Sequence, residues 1–477
     1  QLEEDTTSNK PVVIMLHTGS FLPAIVNGQA TGGRTDKAIV EACERFAKKG
    51  YLAIALSYRL GWNPVSSSED VRRSTLIQAA YRSLQDVKTA VRFLRKSVAE
   101  EGNPYGIGDE FAVGGYGTGG YIALSMATLN DYDSELLMPK FIDTSEETIA
   151  IYGQPVPYII QSVLGNFEAT DYGFMTVMVD DSTSIEVPLC VPNHVGYSSE
   201  IDMAFNAGGA LPDISWLDAG EVPIASMQCI TDPDAPYAEG NVIVPTTGEF
   251  VITAHGAQLI QEKADLGNNS IFNELTTTIT DSWYSNGNGA DNAAIAGHSD
   301  LNGLFGIITP APSDVPTVCG FETEQGAPWG FWDNATYTAM ADGYHGTPAG
   351  TMGCLALLGN PDMSDEKGMA MADMMSEFFT PRVYVSLVGP ISDIGITEEL
   401  AEKVNIYPNP ANNFITINAN NNTISSVKLY SVEGKLLRSH TTNQTSVIIE
   451  KNELTNGLYF IELEVNKQTI KKSVVFN

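Results

Sequence analysis

The glycine-rich turn at 113–120, with the sequence Val-Gly-Gly-Tyr-Gly-Thr-Gly-Gly, has the residue types and spacing of a reaction site. An apolar strand is predicted at 111–115 and a helix at 121–128. A sharp strand-to-helix turn needs small flanking residues, and it raises the side chain at its apex above the sheet, where a serine could attack a carbonyl. Gly117 stands at that apex and has no side chain, so this position cannot supply the nucleophile. Thr118 is the adjacent hydroxyl.

Buried strands and amphipathic helices alternate around this turn. Strands are predicted at 11–17, 52–58, 111–115, 201–207, 222–229 and 250–254, and helices at 35–49, 74–99, 121–128, 257–265 and 364–379. Continuous apolar runs are typical of strands that are buried on both faces of a parallel sheet. The alternation therefore predicts the α/β class, with a doubly wound, mostly parallel sheet. The methionines of the last helix recur at helical spacing and are expected to pack in the core.

Four landmarks in residues 11–124 resemble the α/β-hydrolase family, particularly its secreted esterase-like members. They are His17-Thr-Gly-Ser-Phe21, Ser57-Tyr-Arg-Leu-Gly61, the helical segment 85–95 and the glycine-rich turn, in that order. The resemblance implies that Gly117 replaces the serine of a G-x-S-x-G nucleophile elbow. It also implies that His17, Gly19 and Thr118 belong to an oxyanion-binding region built from backbone N–H groups. Thr18 departs from the His-Gly-Gly pattern of the family's oxyanion loop.

The family's chain order, in which the nucleophile precedes the acid and the acid precedes the histidine, implies candidates for the other two groups. Asp232 or Asp234 falls at the acid position, after the strand at 222–229. Asp-Pro-Asp also favours a simple turn, so both interpretations stay open. His255 follows the strand at 250–254 and falls at the base position, with a surface histidine as the alternative.

No metal or cofactor is predicted. The histidines show neither i, i+4 pairs nor an H-x-x-E-H arrangement. We expect structural roles for His298 and His345, which lie in irregular loops, while His194 falls in the predicted lid and His440 in the terminal module. Residues 286–291 are rich in Asn and Gly, but they match no calcium loop and are expected to be solvated turns.

Residues from 404 onward have a different character from the rest of the chain. They resemble the type A sorting domain of type IX secretion substrates of Bacteroidota, through Tyr407-Pro-Asn-Pro-Ala411, Leu429-Tyr-Ser-Val-Glu-Gly-Lys435, Leu454-Thr-Asn-Gly-Leu-Tyr-Phe460 and a basic last strand. Short alternating strands with turn signals between them predict an Ig-like β-sandwich. The resemblance implies that the type IX secretion machinery is a partner, and that the protein is secreted or lies on the outer cell surface.

The predicted domains are therefore a hydrolase-like domain at 1–390 with a lid inserted at about 130–200, a linker at 391–403 and the sorting domain at 404–477. Charge supports the boundary. The last segment holds six Lys and one Arg against five Glu, which is +2, so the chain's −32 leaves −34 for residues 1–403. Such an acidic surface disfavours nucleic acid and anionic lipid as partners.

Other bulk features restrict the protein class. The sequence contains no run of eighteen apolar residues, so no transmembrane segment is predicted. The N-terminus shows no signal segment, which suggests removal or absence of a leader. Five cysteines predict no disulfide framework, although Cys319 and Cys354 could pair in an oxidising compartment. Residues 1–10 leave little room for the family's first two strands, which would expose a sheet edge and favour self-association.

We therefore expect an exported hydrolase-like protein that lacks its serine. It would be catalytically silent and would bind a small acyl or ester-like ligand, or take part in an extracellular assembly or homo-oligomer. The alternative is an active carboxylic-ester hydrolase with an atypical nucleophile such as Thr118 or a residue of the lid. A purely structural surface subunit is a third possibility.

Overall fold

The computed structural model divides the chain into two compact units, residues 1–389 and 390–477. It describes residues 9–27, 29–180, 182–244, 247–273, 275, 301–307, 317–318, 321–322, 325–389, 404–420, 422–431, 436–452, 454–465 and 468–477. The predicted linker 391–403, the loop 286–291, His298 and Cys319 lie outside the described residues.

The first unit mixes strands and helices. Its strands are β1 Lys10–Leu16, β2 Leu52–Leu56, β3 Ile107–Tyr116, β4 Ile142–Asp143, β5 Val156–Pro157, β6 Gly173–Met178, β7 Ser184–Cys190, β8 Met203–Ala207, β9 Ile224–Cys229, β10 Glu239–Ile243, β11 Phe250–His255, β12 Leu304–Ile307, β13 Thr317–Val318 and β14 Phe321–Glu322. Its helices are α1 Lys37–Lys48, α2 Glu69–Glu100, α3 Thr118–Thr128, α4 Tyr132–Glu135, α5 Glu146–Tyr152, α6 Gln161–Leu164, α7 Ala257–Asp265, α8 Asn334–His345, α9 Thr351–Leu355 and α10 Asp365–Leu387, with short 3₁₀ helices at Pro139–Phe141, Ile214–Trp216 and Ser270–Phe272.

The core of this unit is a six-stranded sheet in the order β12-β9-β8-β3-β1-β2. All of its strand pairs are parallel. Val12 to Leu16 on β1 are fully buried, as expected for an apolar strand covered on both faces. The predicted α/β class with a doubly wound, mostly parallel sheet is confirmed.

One strand lies in a different place from the prediction. The segment 250–254 does form a strand, but β11 pairs antiparallel with β10 in a separate two-stranded hairpin. The sixth strand of the main sheet is β12 instead, which pairs with β9. Only six residues separate β10 from β11, which is too few for a parallel crossover but enough for a hairpin.

The five predicted helices are present, with differences at some of their ends. Helix α8 was not predicted, so His345 ends a helix and does not lie in an irregular loop as expected. Helix α2 begins at Glu69, five residues before the predicted start, because the Ser68 hydroxyl caps it by accepting a hydrogen bond from Val71 N. Helix α10 continues past Pro381 to Leu387, beyond the predicted end at 379. Its methionines Met371, Met374 and Met375 are buried, which confirms the predicted packing role.

The predicted lid at 130–200 forms short helices and two hairpins, β4–β5 and β6–β7. Side chains along the length of α2 hold this insertion in place through hydrogen bonds. The Tyr81 hydroxyl donates to Gly165 O at 2.8 Å, and Arg92 Nε donates to Asn193 O at 3.2 Å. The insertion is therefore a fixed layer on α2, whereas its boundaries and its role as a lid stay predictions.

The second unit is a β-sandwich. Its strands are β15 Asn405–Tyr407, β16 Phe414–Asn418, β17 Ile424–Tyr430, β18 Leu436–Gln444, β19 Ser446–Glu450, β20 Gly457–Val465 and β21 Gln468–Phe476. They form antiparallel sheets ordered β15-β16-β19 and β18-β17-β20-β21, which share one apolar core. The predicted β-sandwich is confirmed.

Two further features bear on the cysteine and membrane predictions. Cys354 is disulfide-bonded, while Cys43 and Cys190 are free thiols. The pairing of Cys354 with Cys319 stays a prediction, because Cys319 lies outside the described residues. No helix in the described part of the chain is long and apolar enough to cross a membrane.

Candidate functional site

The turn between β3 and α3 has the backbone of a nucleophile elbow. Gly117 adopts φ +52° and ψ −120°, a conformation that residues with a side chain rarely occupy. Its N–H donates to Ala207 O on β8 at 2.8 Å, and its carbonyl accepts from Gly120 N at 2.8 Å. The apex is thus held by main-chain bonds to the neighbouring strand and to the first turn of α3.

The flanking glycines are required by close packing. A Cβ on Gly115 would lie 2.1 Å from the backbone of Gly119, and one on Gly119 would lie 2.2 Å from Leu16 O. These distances are shorter than any van der Waals contact, and the nearby atoms belong to the main chain, which cannot move aside easily. The pattern G-x-G-x-G is therefore explained by sterics at its two outer positions.

The space above Gly117 is filled by another residue. A Cβ on Gly117 would lie 2.2 Å from Thr18 Oγ1 and 3.0 Å from Thr18 Cβ. Thr18 belongs to the loop after β1, at the position where the sequence departs from the His-Gly-Gly pattern. A hydroxyl is thus present above Gly117, the predicted nucleophile position, but it comes from the predicted oxyanion loop. Sequence reasoning noted Thr18 only as a disturbance of that loop.

The oxyanion-loop residues form a compact buried cluster. The His17 ring stacks on Tyr58 with centroids 4.4 Å apart, and His17 Nδ1 donates to Thr18 O at 2.6 Å. The Tyr58 hydroxyl donates to His17 O at 2.7 Å and lies 3.3 Å from Thr118 Oγ1. Burial lowers the pKa of His17, which keeps its ring neutral near pH 7. The structure therefore brings His17 and Thr118 together, with the Thr118 hydroxyl turned toward Tyr58.

Gly19 is constrained as well. It has φ +125°, and a Cβ there would lie 2.6 Å from Gly32 Cα. The next two residues, Ser20 and Phe21, also have positive φ angles of 55° and 52°. Strained backbone of this kind concentrates at functional sites. Since α3 begins at Thr118, the N–H of Thr118 is among the first four of the helix, which have no partner within it.

The predicted acid lies beside the elbow. Asp232 follows β9, and its Oδ2 lies 3.3 Å from where a Cβ on Gly208 would stand, next to the Trp329 ring. Gly208 directly follows Ala207, the hydrogen-bond partner of Gly117. Asp232 Oδ1 accepts from Asp234 N at 2.9 Å, which also makes the predicted turn. The turn is therefore present, and the catalytic role of either aspartate stays a prediction.

Burial, together with the neighbouring charge of Asp234, raises the pKa of Asp232. Asp234 itself is exposed. The Tyr121 hydroxyl on α3 is buried, and within the described part of the chain it has no hydrogen-bond partner. Burial raises the pKa of Tyr121, and the two aspartates contribute to the shift.

His255 has different neighbours. Its backbone exchanges two hydrogen bonds of 2.8 Å with Leu211, and its Nε2 lies 3.9 Å from Glu239 Oε2. Its Nδ1 is buried and has no partner among the described residues. Burial lowers the pKa of His255, and the cation of Lys140 lowers it further. Among the described contacts, His255 Nε2 faces the carboxylate of Glu239 and not that of Asp232 or Asp234, and its lowered pKa disfavours the charged ring that an ion pair would need.

The corrected strand order also changes where the family's base would be sought. If the base follows the last strand of the sheet, that position comes after β12. The sequence there, residues 308–316, is Ile-Thr-Pro-Ala-Pro-Ser-Asp-Val-Pro and contains no histidine. These residues lie outside the described ranges. The assignment of His255 as base therefore stays a prediction, on a hairpin outside the main sheet.

The other histidines have structural contacts where they are described. His345 Nε2 donates to Ile25 O at 2.8 Å and ties the end of α8 to the loop after β1. His194 packs against Phe93, with ring centroids 5.4 Å apart. Across the described ranges, no group of three or more His, Cys, Asp or Glu is placed to hold a metal ion.

A surface depression of about 590 Å³ lies between α8 and α9, away from the elbow. Small residues and the polar side chains of Asn334, Thr338 and Thr347 line it. Asp342 at its edge already accepts hydrogen bonds from Gly350 N and Met352 N. None of the predicted site residues borders this depression.

Comparison with known proteins decides the nature of the second unit. Residues 405–477 match the family model described as "Secretion system C-terminal sorting domain". The second unit is a secretion sorting domain. This confirms the predicted type IX sorting module, and with it a secreted or outer-surface location.

Several solved structures are similar to parts of the chain. An esterase 2 of Thermogutta terrifontis with bound propionate is 14% identical, over 56% of this chain and 72% of that one, with a TM-score of 0.30. The same esterase phosphorylated by paraoxon is 14% identical, over 56% and 71%, with a TM-score of 0.29. PorZ, a surface component of the type IX secretion system of Porphyromonas gingivalis, is 20% identical over 17% of this chain and 12% of that one, with a TM-score of 0.16. These TM-scores are low, so the fold assignment rests on the sheet order and the elbow geometry. No curated protein sequence matches the chain.

Proposed function

We propose that this exported protein is a hydrolase-like protein without catalytic activity at its elbow, which binds a small acyl or ester-like ligand or takes part in an extracellular assembly. The sorting domain directs the protein to export. The observation that carries the proposal is Gly117 at the apex of an otherwise complete elbow, with Thr18 Oγ1 at 2.2 Å from the place of the missing Cβ.

Enzymes with a catalytic triad indicate how much rate acceleration is lost when the nucleophile is absent. Removal of a nucleophile typically leaves only about 10³- to 10⁴-fold acceleration over water, from binding and the oxyanion hole. Here His255, the candidate base, contacts Glu239 at 3.9 Å among the described residues, and no described contact joins it to Asp232 or Asp234. A hydroxyl without an adjacent base is a weak nucleophile near neutral pH.

The binding role is supported by what remains at the site. Ser20 and Phe21, in the loop after β1, keep positive φ angles of 55° and 52°, a strained backbone for residues with a side chain, although the serine is absent. Strain of this kind costs roughly 1–3 kcal/mol per residue and persists only where the surroundings enforce it. Retained elbow geometry is therefore expected to serve recognition rather than attack.

The alternative is an active ester hydrolase with an atypical nucleophile. Thr118 was the sequence-based candidate, and its Oγ1 lies 3.3 Å from the buried Tyr58 hydroxyl. The specific observation that favours a second candidate is the position of Thr18 Oγ1, close to the vacant serine position. Both threonines belong in the test.

The test is hydrolysis of p-nitrophenyl acetate and butyrate by the full chain. We expect no turnover that depends on Thr18→Val, Thr118→Val or His255→Ala, and the same background rate for Thr176→Val on the exposed strand β6. Turnover at ordinary enzyme rates of roughly 1–10³ s⁻¹, abolished by one of the first three variants but kept by Thr176→Val, would establish the alternative.

Ligand binding is tested separately, through the melting temperature. The ketone 2-hexanone mimics a short ester but cannot be hydrolysed, so binding at the elbow raises the melting temperature by mass action. Thr18→Phe fills the site and is expected to remove that shift. If neither protein responds to the ketone, the remaining role is assembly, for which light scattering must show particles larger than one chain.

A further inference from the structure

The hairpin β6–β7 in the insertion exposes an unusual amount of apolar surface. Its register places Met175 opposite Val187 and Val177 opposite Ile185, so these four side chains share one face. Met175 is 43% exposed and Ile185 is 50% exposed. We refer to these four residues as the hairpin face.

The opposite side of the hairpin is mixed, with Phe174, Met178 and Pro188 beside Thr176, Ser184 and Glu186. Phe174 stacks on Tyr172 with centroids 5.5 Å apart, and Met178 is 61% exposed. A two-stranded hairpin is only marginally stable by itself in water. A contiguous apolar face on such a hairpin therefore indicates an interaction surface rather than a scatter of single exposed residues.

The base of the hairpin is rigidly held, which suits binding. Arg59 Nη1 donates to Leu189 O at 2.9 Å, next to the end of β7. Gln85 Nε2 donates to Leu164 O and to Asn166 O, each at 2.8 Å. Because these bonds hold the end of β7 and the segment that precedes β6, little ordering cost remains for a partner to overcome.

One edge of the hairpin is suited to pairing with another strand. Pro188 lies on β7 opposite Phe174, and proline in a strand is confined to positions where the missing N–H faces away from the ladder. The outer edge of β7 therefore lacks a donor. Among the described strands β6 pairs only with β7, so its outer edge offers backbone donors and acceptors, which is the arrangement used for strand addition.

The negative charge of the segment around the hairpin indicates the kind of partner that it can bind. Residues 141–200 contain nine Asp and Glu and no Lys or Arg. The cations that reach this segment come from elsewhere and are engaged at its base, as Lys88 is with Glu168. A second copy would bring the same acidic surface against itself, and an anionic membrane would be repelled in the same way.

We propose that the hairpin face and the free edge of β6 form a docking surface for an extended, apolar segment of a partner protein that is flanked by Lys or Arg. The apolar side chains of that segment cover the hairpin face, and its cations meet the acidic surroundings, of which Glu186 lies on the hairpin itself. This surface is separate from the elbow, so it stands whether or not the elbow is active.

The probe is a fluorescent peptide, Lys-Lys-Val-Thr-Val-Thr-Val-Lys-Lys, titrated with the full chain and followed by anisotropy. The matched probe has Glu in place of every Lys. We expect binding of the lysine peptide that weakens as salt is raised, and binding of the glutamate peptide at least about tenfold weaker.

The variant Met175→Thr/Ile185→Thr keeps strand-forming residues but removes apolar surface, and should weaken binding at least about tenfold. The matched control is Val65→Thr/Leu266→Thr, at positions 83% and 86% exposed outside the hairpin, which should leave affinity unchanged. Glu186→Gln should flatten the salt dependence. Far-UV circular dichroism checks that each variant is folded.

Three results would overturn the proposal. The first is equal binding of the two peptides, and the second is lysine-peptide binding that the hairpin variant does not alter. The third is sedimentation that shows a dimer, or binding to phosphatidylglycerol vesicles, either of them lost in the hairpin variant, because the occupant would then be a second copy or a membrane.

Discussion

The elbow and the insertion at 130–200 are held in place by different means. At the elbow, main-chain bonds from Gly117 to Ala207 and Gly120 set the geometry, and no charged side chain is needed. The insertion depends on charged and polar side chains of α2, among them the nearly fully buried Arg92. A turn built from backbone keeps its shape when a functional side chain is lost, whereas a layer fixed by a few charges depends on each of them.

The largest expected effect breaks the insertion's attachment. Arg92→Ala removes the donor to Asn193 O and leaves Glu168, 3.6 Å from Arg92 Nη1, with less compensation. Glu168 keeps its ion pair with Lys88, but each lost hydrogen bond from a buried charged donor costs about 1.5–3 kcal/mol. Loss of the bonds to Asn193 O and Ala169 O should therefore cost about 3–5 kcal/mol. Urea denaturation of the full chain measures this as a lower free energy of unfolding.

Tryptophan fluorescence reports the first unit alone, because the five tryptophans are at positions 62, 216, 283, 329 and 332. The control on the same helix is Lys96→Ala, which removes only an exposed i, i+4 pair with Glu100. That change should cost less than about 0.5 kcal/mol. Equal effects of the two variants would mean that Arg92 does not hold the insertion.

The second prediction concerns the elbow. Gly117→Ser introduces a side chain at φ +52° and forces it against Thr18, so we expect a loss of about 1–3 kcal/mol from strain and a further loss from the contact. Gly153→Ser is the control, because Gly153 has φ +75° but nothing within 4 Å of an added Cβ.

In a double-mutant cycle, Thr18→Gly should recover part of the cost of Gly117→Ser, with a coupling of roughly 1 kcal/mol. The same urea and fluorescence measurement applies. Strict additivity of the two changes would contradict the conclusion that Thr18 occupies the serine's space.

The third prediction concerns the start of the insertion. There a carboxylate, that of Glu221, makes the attachment, whereas cations make it along α2. Glu221 Oε1 accepts from Asn130 Nδ2 at 2.8 Å. Burial raises the pKa of Glu221 from 4.5 to about 8, the carboxylates of Asp218 and Glu135 add to the shift, and Lys263 opposes it. The folded state therefore holds a proton that the unfolded state releases.

The stabilisation from that proton is fully present below pH 4.5 and is lost as pH rises through about 8. Wild type should therefore lose stability relative to Glu221→Gln over this range, by at most about 1.4 kcal/mol between pH 7 and 8. Thermal melts at several pH values measure the difference, with Glu147→Gln as the control on an exposed helix. A difference that does not change with pH would refute the raised pKa.

Much of the fold could be predicted because the signals were local. The apolar run of β1 and the glycine spacing around Gly117 each indicate their structure without help from distant residues. Strand β12 was missed because it is only Leu-Phe-Gly-Ile within a Gly- and Asn-rich stretch. The partner of β11 was wrong because pairing is a tertiary choice that the sequence of one strand does not encode.

The candidate site was also predictable only where its signal was local in the sequence. Gly117 alone predicted an elbow without a nucleophile, but the position of Thr18 above Gly117 depends on the approach of two loops about a hundred residues apart in the chain. Likewise, Tyr58 gave no motif, although its hydroxyl joins His17 to Thr118.

The central claim is that the elbow offers no activated hydroxyl, and covalent labelling tests it most directly. The full chain is incubated with a fluorophosphonate probe and its intact mass is measured, followed by peptide mapping. The account predicts an unmodified mass under conditions that label a serine esterase to completion. Stoichiometric addition at one residue, above all Thr18 or Thr118, would contradict it.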